Sequence, residues 1–342
     1  MINRLVWMET DNTYPYRNLA MEEYMTNHVP DGTCILFLWQ NRHTVVIGKN
    51  QNCWRECRVN FLEQENGYLV RRLSGGGAVF HDLGNLNFTF IVGAGDYDVS
   101  RQLDVILEAV RSLGIHAEKT GRNDITVDGR KFSGNAFYRT GDGCYHHGTI
   151  LIRADKENMS RYLNVSKEKL ASKGVTSVKS RVANLCEFKP DITLEEVKSA
   201  LVEAFSKVYG QPAVRMEEGE LPQPDIDART EKFASWQWKY GRKIPFEYEM
   251  EKRFPWGNIQ IQFHVDEGMI QDVNVFSDAM DQEMIGMLAE QLKGCAYAEE
   301  DICRAVKAVG TDAFQAGEYT GADEPQSCRI KEDIMTLVRE SL

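Results

Sequence analysis

The chain has 342 residues, 42% of them hydrophobic and 27% charged, which is the ordinary range for a soluble globular protein with one large domain and a smaller companion. Its formal net charge of −11, with no long basic run to offset it, argues against duplex nucleic acid as a partner, because phosphate contacts dominate such binding. No stretch approaches the ~18 apolar residues of a membrane span, and the opening MINRLVWMETDNTYPYRNLAMEEYM lacks a basic segment followed by an apolar run and a cleavage site. A cytoplasmic protein with no membrane partner is expected.

In chain order, CILFLWQ, TVVIGK, YLVRRL, GAVFHD and LNFTFIV are short β-rich runs, so strands dominate the first ninety residues or so. Helical apolar spacing marks Arg17 to Asn27, Ser100 to Leu113 and Thr193 to Tyr209. Strands and helices do not alternate regularly, which favours an α+β fold with mixed or antiparallel sheets over a doubly wound one. The stretch from Gln211 to Thr230 concentrates Pro, Gly and acidic residues and reads as an exposed connection. Beyond it, KIPFEYEMEKRF and GNIQIQFHVDEGMIQDVNVF, with a hairpin signal at Asp266-Glu267-Gly268, precede two helical patterns between Asp281 and Val309. A small second α+β unit follows from that pattern.

Eight cysteines (Cys34, Cys53, Cys57, Cys144, Cys186, Cys295, Cys303 and Cys328) form no CxxC pair, so neither a zinc site nor a disulfide framework is signalled. The triple glycine Gly75 to Gly77 sits between two strand-like runs, where glycine costs backbone entropy and packs nothing. A Walker-type phosphate loop would need GxxxxGK[ST] opening a helix, and here a strand pattern follows. The remaining readings are a glycine-rich bulge, or a loop whose backbone comes close to an anion or carbonyl. Arg71 and Arg72 precede the glycines, and His81 and Asp82 follow.

A second constellation lies in TGRNDITVDGRKFSGNAFYRTGDGCYHHGTILI. A turn at Asp128-Gly129 makes a hairpin whose return strand, by period-two geometry, carries Lys131 on one face with Ser133 and Asn135. Alternation lets at most one of His146 and His147 face inward, and with no third ligand at suitable spacing a zinc site is not expected. The polar stretch from Ala171 to Leu185 reads as a mobile cationic loop or a solvated surface.

Together these motifs resemble the lipoate-protein ligase A family, in its two-domain bacterial form. The resemblance is carried in order by NLAMEEY, LFLWQNRHTVVIGKNQN, RRLSGGGAVFHDLGNLNFTF, GRNDI, GRKFSGNAF, HHGTILI, LNVSKEKLASKGVTSVKSRVANL, SWQWKYG and RFPWGNIQIQFHVDEGMI. It implies a catalytic domain over residues 1–244, similar to biotin protein ligase, and a small accessory domain over 245–342. It further implies activation of lipoate by ATP and Mg²⁺ to lipoyl-AMP, then transfer to a lysine of an acceptor such as a 2-oxoacid dehydrogenase E2 lipoyl domain or the glycine cleavage H protein.

Bringing a carboxylate to an α-phosphate places two anions together, and a local cation must offset them. Lys131 matches the family's motif lysine and is the catalytic candidate. By the same correspondence Arg72, Ser74, Gly75, Gly76, Gly77 and His81 bind lipoate. Gly77, Val79, Asn85, Asn123, Asp124, Lys131, His147, Gly148, Thr149, Lys173, Ser180, Arg181 and Val182 face the nucleotide. Asp124 is the carboxylate for Mg²⁺. Lys49-Asn50 either reaches phosphate or packs at a strand end.

Two rival functions remain. A cofactor-independent octanoyl or lipoyl transferase would use a cysteine thioester, and Cys144 stands near the lysine and HG motifs. The related transferases place their cysteine well ahead of the lysine motif or after the HG strand, whereas this chain has none between Cys57 and Cys144 or between Cys144 and Cys186. Cys144 is therefore expected at a hairpin tip. The other rival is a regulator that binds lipoyl-AMP without transferring it.

Overall fold

Runs of β-branched and aromatic residues form the strands, and the computed structural model, which describes residues 1–120, 124–164, 182–241, 243–310 and 326–342, divides them between two compact units. The first unit comprises Met1–Ile47, Cys53–Arg72 and Ala78–Lys239; the second comprises Gly48–Asn52, Leu73–Gly77 and Tyr240–Leu342. The fold class is α+β.

In the first unit an eight-stranded sheet runs from edge to edge as Ala213–Arg215 (β11), Arg4–Glu9 (β1), Thr33–Trp39 (β2), Asn85–Gly93 (β6), Gly143–Leu151 (β10), Arg130–Arg139 (β9), Asp124–Val127 (β8) and Glu118–Thr120 (β7). The β1 pairings are parallel and the others antiparallel, so the sheet is mixed. A smaller sheet places Thr44–Ile47 (β3) between Tyr68–Arg71 (β4) and Val79–His81 (β5).

Both faces of the large sheet are covered, which explains why β2 is buried throughout and apolar from Cys34 to Trp39 rather than alternating. On one face lie Val99–Ser112 (α1) and Leu194–Tyr209 (α2), with Phe90 of β6 packed 5.8 Å from Phe205, ring to ring. The α1 helix starts where Asp98 accepts the Arg101 amide, and α2 starts with a Thr193–Glu196 capping box and ends at Gly210 in the left-handed region. The opposite face is covered by the helix Pro15–Asn27, here called αN.

The stretch expected as an exposed connection is ordered instead. It supplies β11 and then the helix Gln223–Ala234, which packs along αN with Ile226 and Phe233 buried. Glu23 of αN, itself buried, pairs with Arg229 at 3.1 Å and Lys232 at 2.5 Å. Two anchoring apolar residues in a polar helix leave little compositional trace, so the segment looks like a linker in sequence.

The second unit is built on the antiparallel meander Tyr248–Phe254 (β12), Gly257–Asp266 (β13) and Met269–Ser277 (β14). Its predicted hairpin turn has φ of 47° at Glu267 and 77° at Gly268, the two positive angles a tight primed turn requires. Helices Gln282–Leu292, Glu299–Ala308 and Gln326–Ser341 contribute Leu288, Val306 and Ile334 to a core with Ile259, Ile261 and Phe263. The third helix has no counterpart in the sequence reading. Among the described residues no helix is long and apolar enough to cross a membrane.

The triple glycine belongs to this second unit. The Gly76 amide donates to the Ala279 carbonyl at 3.1 Å, and φ at Gly76 is 86°, a left-handed conformation that favours glycine. A side chain on Gly75 would place its Cβ 2.4 Å from the Ala279 oxygen and 2.6 Å from the Met280 oxygen. Close backbone packing thus explains two of the three glycines. The neighbouring Asn50 is tied to the same region: its carbonyl accepts from the Ser277 amide at 2.9 Å, and its side-chain amide donates to the Gln282 carbonyl at 2.8 Å.

Candidate active site on one face of the large sheet

Lys131 lies at the start of β9, in a hairpin whose register is irregular. Asp124 pairs with Gly134 and Ile125 with Ser133, but Thr126 pairs with Lys131, so one extra residue, Phe132, is inserted in β9. The bulge reverses the side-chain parity. Lys131 therefore shares a face with Gly134, Asp124 and Thr126, and the expected companionship with Ser133 and Asn135 is overturned. Its ammonium reaches Asp124 Oδ1 at 2.5 Å, with both side chains about a quarter exposed (28% and 25%). Gly134 makes room for it: a Cβ there would stand 2.6 Å from Lys131 Nζ.

Strand pairing places Thr149, His147, Asn87 and Thr89 on this same face. Asn85, Asn87 and Thr89 of β6 form a buried polar row, with Asn85 Nδ2 donating to Asn87 Oδ1 at 2.9 Å. The buried Glu22 of αN accepts from Thr89 Oγ1 at 2.7 Å and from His147 Nδ1 at 2.9 Å, while Trp39 Nε1 donates to Thr89 Oγ1 at 3.0 Å. A carboxylate on Nδ1 fixes that ring's orientation and leaves Nε2 as its outer nitrogen.

Arg72, also buried, is lowered to about 10 by burial, against the pull of Tyr145 and Glu22, so it remains a cation at neutral pH. His81 is lowered to about 3, first by burial and then by the neighbouring Arg72 and His147. Its Nδ1 faces Asn41 Nδ2 at 3.3 Å, and Asn41 Oδ1 accepts from Asn18 at 3.0 Å, so the Asn41 amide donates and the neutral imidazole carries its proton on Nε2. That Nε2, together with Asn85 Oδ1 and Asn87 Nδ2, is buried with no hydrogen-bond partner among the described residues. Such polar atoms suit a polar ligand, since a buried group left unpaired is costly.

The reverse face holds different chemistry. Cys144, His146 and Gly148 of β10, with Ser133 and Asn135 of β9, point away from Lys131. Cys144 is not at a hairpin tip: it is the second residue of β10, paired with Arg139 and buried. His146 is buried as well, with Nε2 2.8 Å from Asn135 Oδ1 and its pKa lowered to about 3 by burial and by His147. Both histidines thus face an interior, because helices cover both sides of the sheet. At Gly148 a Cβ would meet the Gly134 oxygen at 2.6 Å, so close strand packing accounts for that glycine.

Val79 opens β5 opposite Val46. Ser74 is buried in the second unit with the three glycines, and its carbonyl accepts the Lys49 amide at 2.9 Å, which places Lys49 at a strand end. Val182 forms a parallel bridge to Lys131. Asn123, Lys173, Ser180 and Arg181 lie outside the described residues. Glu22, Trp39, Asn41 and Thr89 were missed from sequence. The one available signal was a carboxylate at an otherwise apolar-facing position of NLAMEEY.

The model of the lipoyl protein ligase A/B catalytic domain matches residues 14–206, more than half of the chain and all of the face just described. The chain belongs to that family. A second model, the bacterial lipoate protein ligase C-terminus, matches residues 243–321 of this lipoate-protein ligase family member. Among solved structures, it is similar to LipL1 of P. falciparum in complex with lipoate at 29% identity and a TM-score of 0.83, over 97% of this chain and 99% of that one. A bipartite lipoate protein ligase from Thermoplasma acidophilum, studied with its E2 lipoyl domain, matches at 27% identity and 0.61, over 71% and 99%. A lipoate-protein ligase A bound with ATP matches at 25% and 0.59, over 70% and 99%.

Proposed function

We propose that this family member is an ATP-dependent ligase working in two steps. In the first, a lipoate carboxylate oxygen attacks the α-phosphorus of ATP and pyrophosphate leaves, giving lipoyl-AMP. In the second, the neutral amine of an acceptor lysine attacks the acyl carbonyl, AMP leaves, and the amine proton passes to water. The observation that carries this reading is the Lys131–Asp124 pair at 2.5 Å on the face that also holds the buried polar row of β6. When substrate enters, the ammonium shifts from Asp124 toward the acyl and phosphoryl oxygens and stabilises charge as it develops there.

Supporting the substrates are relatives bound to lipoate and to ATP, and supporting the acceptor class is the relative studied with an E2 lipoyl domain. The glycine cleavage H protein belongs to the same acceptor class. Arg72, Ser74, Gly75 to Gly77 and His81 are assigned to lipoate. Asn85, Asp124, Thr149 and Val182 are assigned to the nucleotide, along with Asn123, Lys173, Ser180 and Arg181. No group of three or more His, Cys, Asp or Glu able to hold a metal occurs among the described residues, so Mg²⁺ would take Asp124 with phosphate and water oxygens. Bound there, it would neutralise phosphate charge. We assign residues 1–244 to catalysis and 245–342 to an accessory domain.

Mass spectrometry of a lipoyl acceptor domain incubated with lipoate and MgATP tests the proposal. The expected result is a lipoyl mass gain that requires both small molecules, with lipoate-dependent ATP–pyrophosphate exchange slowed ~10²-fold or more, but still measurable, in Lys131→Ala. A mass gain without ATP, together with a trapped thioester on Cys144, would overturn it in favour of the transferase. Exchange without any transfer to a panel of acceptors would leave only adenylate formation.

A further inference from the structure

Beyond Asn135 the strand β10 no longer pairs with β9, and Lys131 would have an open backbone edge there. A short segment fills it. Val182 bridges Lys131 in parallel, and the Ala183 amide donates to the Lys131 carbonyl at 2.9 Å. On its other side the segment is fastened just past the end of β10. The Asn184 side chain accepts from the Ala154 amide at 3.0 Å and donates to the Ala154 carbonyl at 2.9 Å, as a neighbouring strand would, and the Cys186 amide donates to the Ile152 carbonyl at 3.1 Å.

Glu187 closes the arrangement. Its Oε1 accepts from the Asn184 amide at 2.7 Å and from Lys156 Nζ at 2.5 Å, and its Oε2 accepts from Arg130 Nη1 at 2.7 Å. Arg130 is the residue directly before the lysine. Burial alone would raise the Glu187 carboxyl, but the hydrogen bonds from Lys156, Asn184 and Arg130 outweigh it and bring it down to about 2. The group therefore stays anionic across the working pH range.

We propose that Asn184 and Glu187 are positioning residues for Lys131: they clamp residues 182–187 against both the lysine backbone and the end of β10, and so fix where the ammonium stands. The proposal rests on the reading of Lys131 as the adenylation cation. Neither residue needs to touch substrate. A bulged strand start with one unpaired edge is free to shift, and an error on the order of 1 Å at a reacting centre can cost ~10²-fold in rate.

A double-mutant cycle on lipoate-dependent ATP–pyrophosphate exchange tests this, with Glu187→Gln and Asn184→Ala each made alone and combined with Lys131→Ala. Each single change should lower kcat by ~10-fold or more while leaving KM for lipoate and ATP nearly unchanged. In the Lys131→Ala background each should have almost no further effect, because coupled residues are non-additive. Independent, multiplicative losses, or a wild-type kcat in both folded single variants, would overturn the positioning role. Wild-type exchange in Lys131→Ala alone would instead refute the lysine reading, a result visible before the cycle is closed. Thermal unfolding identifies a variant that does not fold, and the other then carries the cycle.

Discussion

Gly134→Ala is a small change that moves Lys131, the proposed catalytic lysine, without replacing it. The new Cβ would stand 2.6 Å from Lys131 Nζ and 2.7 Å from Cε, where ordinary contact begins at 3.4 Å, so the ammonium has to retreat by about 0.8 Å. The obstructing atoms end a flexible side chain, and Gly134 has no positive φ, so the backbone accepts alanine. Loss of the partly exposed Lys131–Asp124 pair costs ~0–1 kcal/mol, offset in part by the lower entropy of an unfolded chain with one fewer glycine. Stability should hold to within ~1 kcal/mol. Activity should not, because a displacement near 1 Å at the reacting centre is worth ~10- to 10²-fold in kcat. Lipoate-dependent pyrophosphate exchange at saturating substrates, beside a thermal melt, measures both. A folded Gly134→Ala protein with the wild-type exchange rate would show that the ammonium's position does not govern the chemistry.

Cys144→Ser should leave adenylation and transfer nearly unchanged while lowering thermal stability, since a buried hydroxyl replaces a thiol at a cost of ~1–3 kcal/mol if it goes unpaired; abolished transfer with intact folding would reinstate the thioester route. His146 and His81, both lowered to about 3 by burial, stay neutral in the folded state while the unfolded chain takes up protons below about 6.5. Their contribution is complete above that pH and drains as pH falls toward 3, so denaturant titrations between pH 6 and 4 should show the slope of stability against pH drop by about 1.4 kcal/mol per unit in His146→Gln; an unchanged slope would count against a neutral buried His146. Gly75→Ala drives a Cβ against two backbone oxygens at 2.4 and 2.6 Å and should destabilise the protein by ~1–3 kcal/mol, read as a lower melting temperature, and an unchanged melt would mean that the contact relaxes without cost.

The glycine loop and the lysine hairpin stood out in sequence because each is locally unusual: three glycines between strands, and Lys131 grouped with Ser133 and Asn135 along one strand of a hairpin. What each residue faces was harder to see. Parity counting assigned Lys131 to the side of Ser133 and Asn135, and a single bulged residue, Phe132, sent it to the other. No propensity marks that insertion, since Phe132 is an ordinary strand residue and the bulge exists only relative to β8. The histidine pair failed for a related reason. Alternation predicts one buried and one exposed side chain only for a sheet with a solvated face, and helices cover both faces here.

The same two facts favour the proposed ligase chemistry over a Cys144 thioester assisted by Lys131, because Cys144 and Lys131 lie on opposite faces of one sheet. Had this same sequence kept the regular register set by Asp124–Gly134, Lys131 would oppose Val127 on the face of Cys144, with Asp124 left on the other. The register shift therefore does more than bend a strand: by pairing Lys131 with Thr126 it sets the lysine beside Asp124 and the polar row of β6, and away from the thiol.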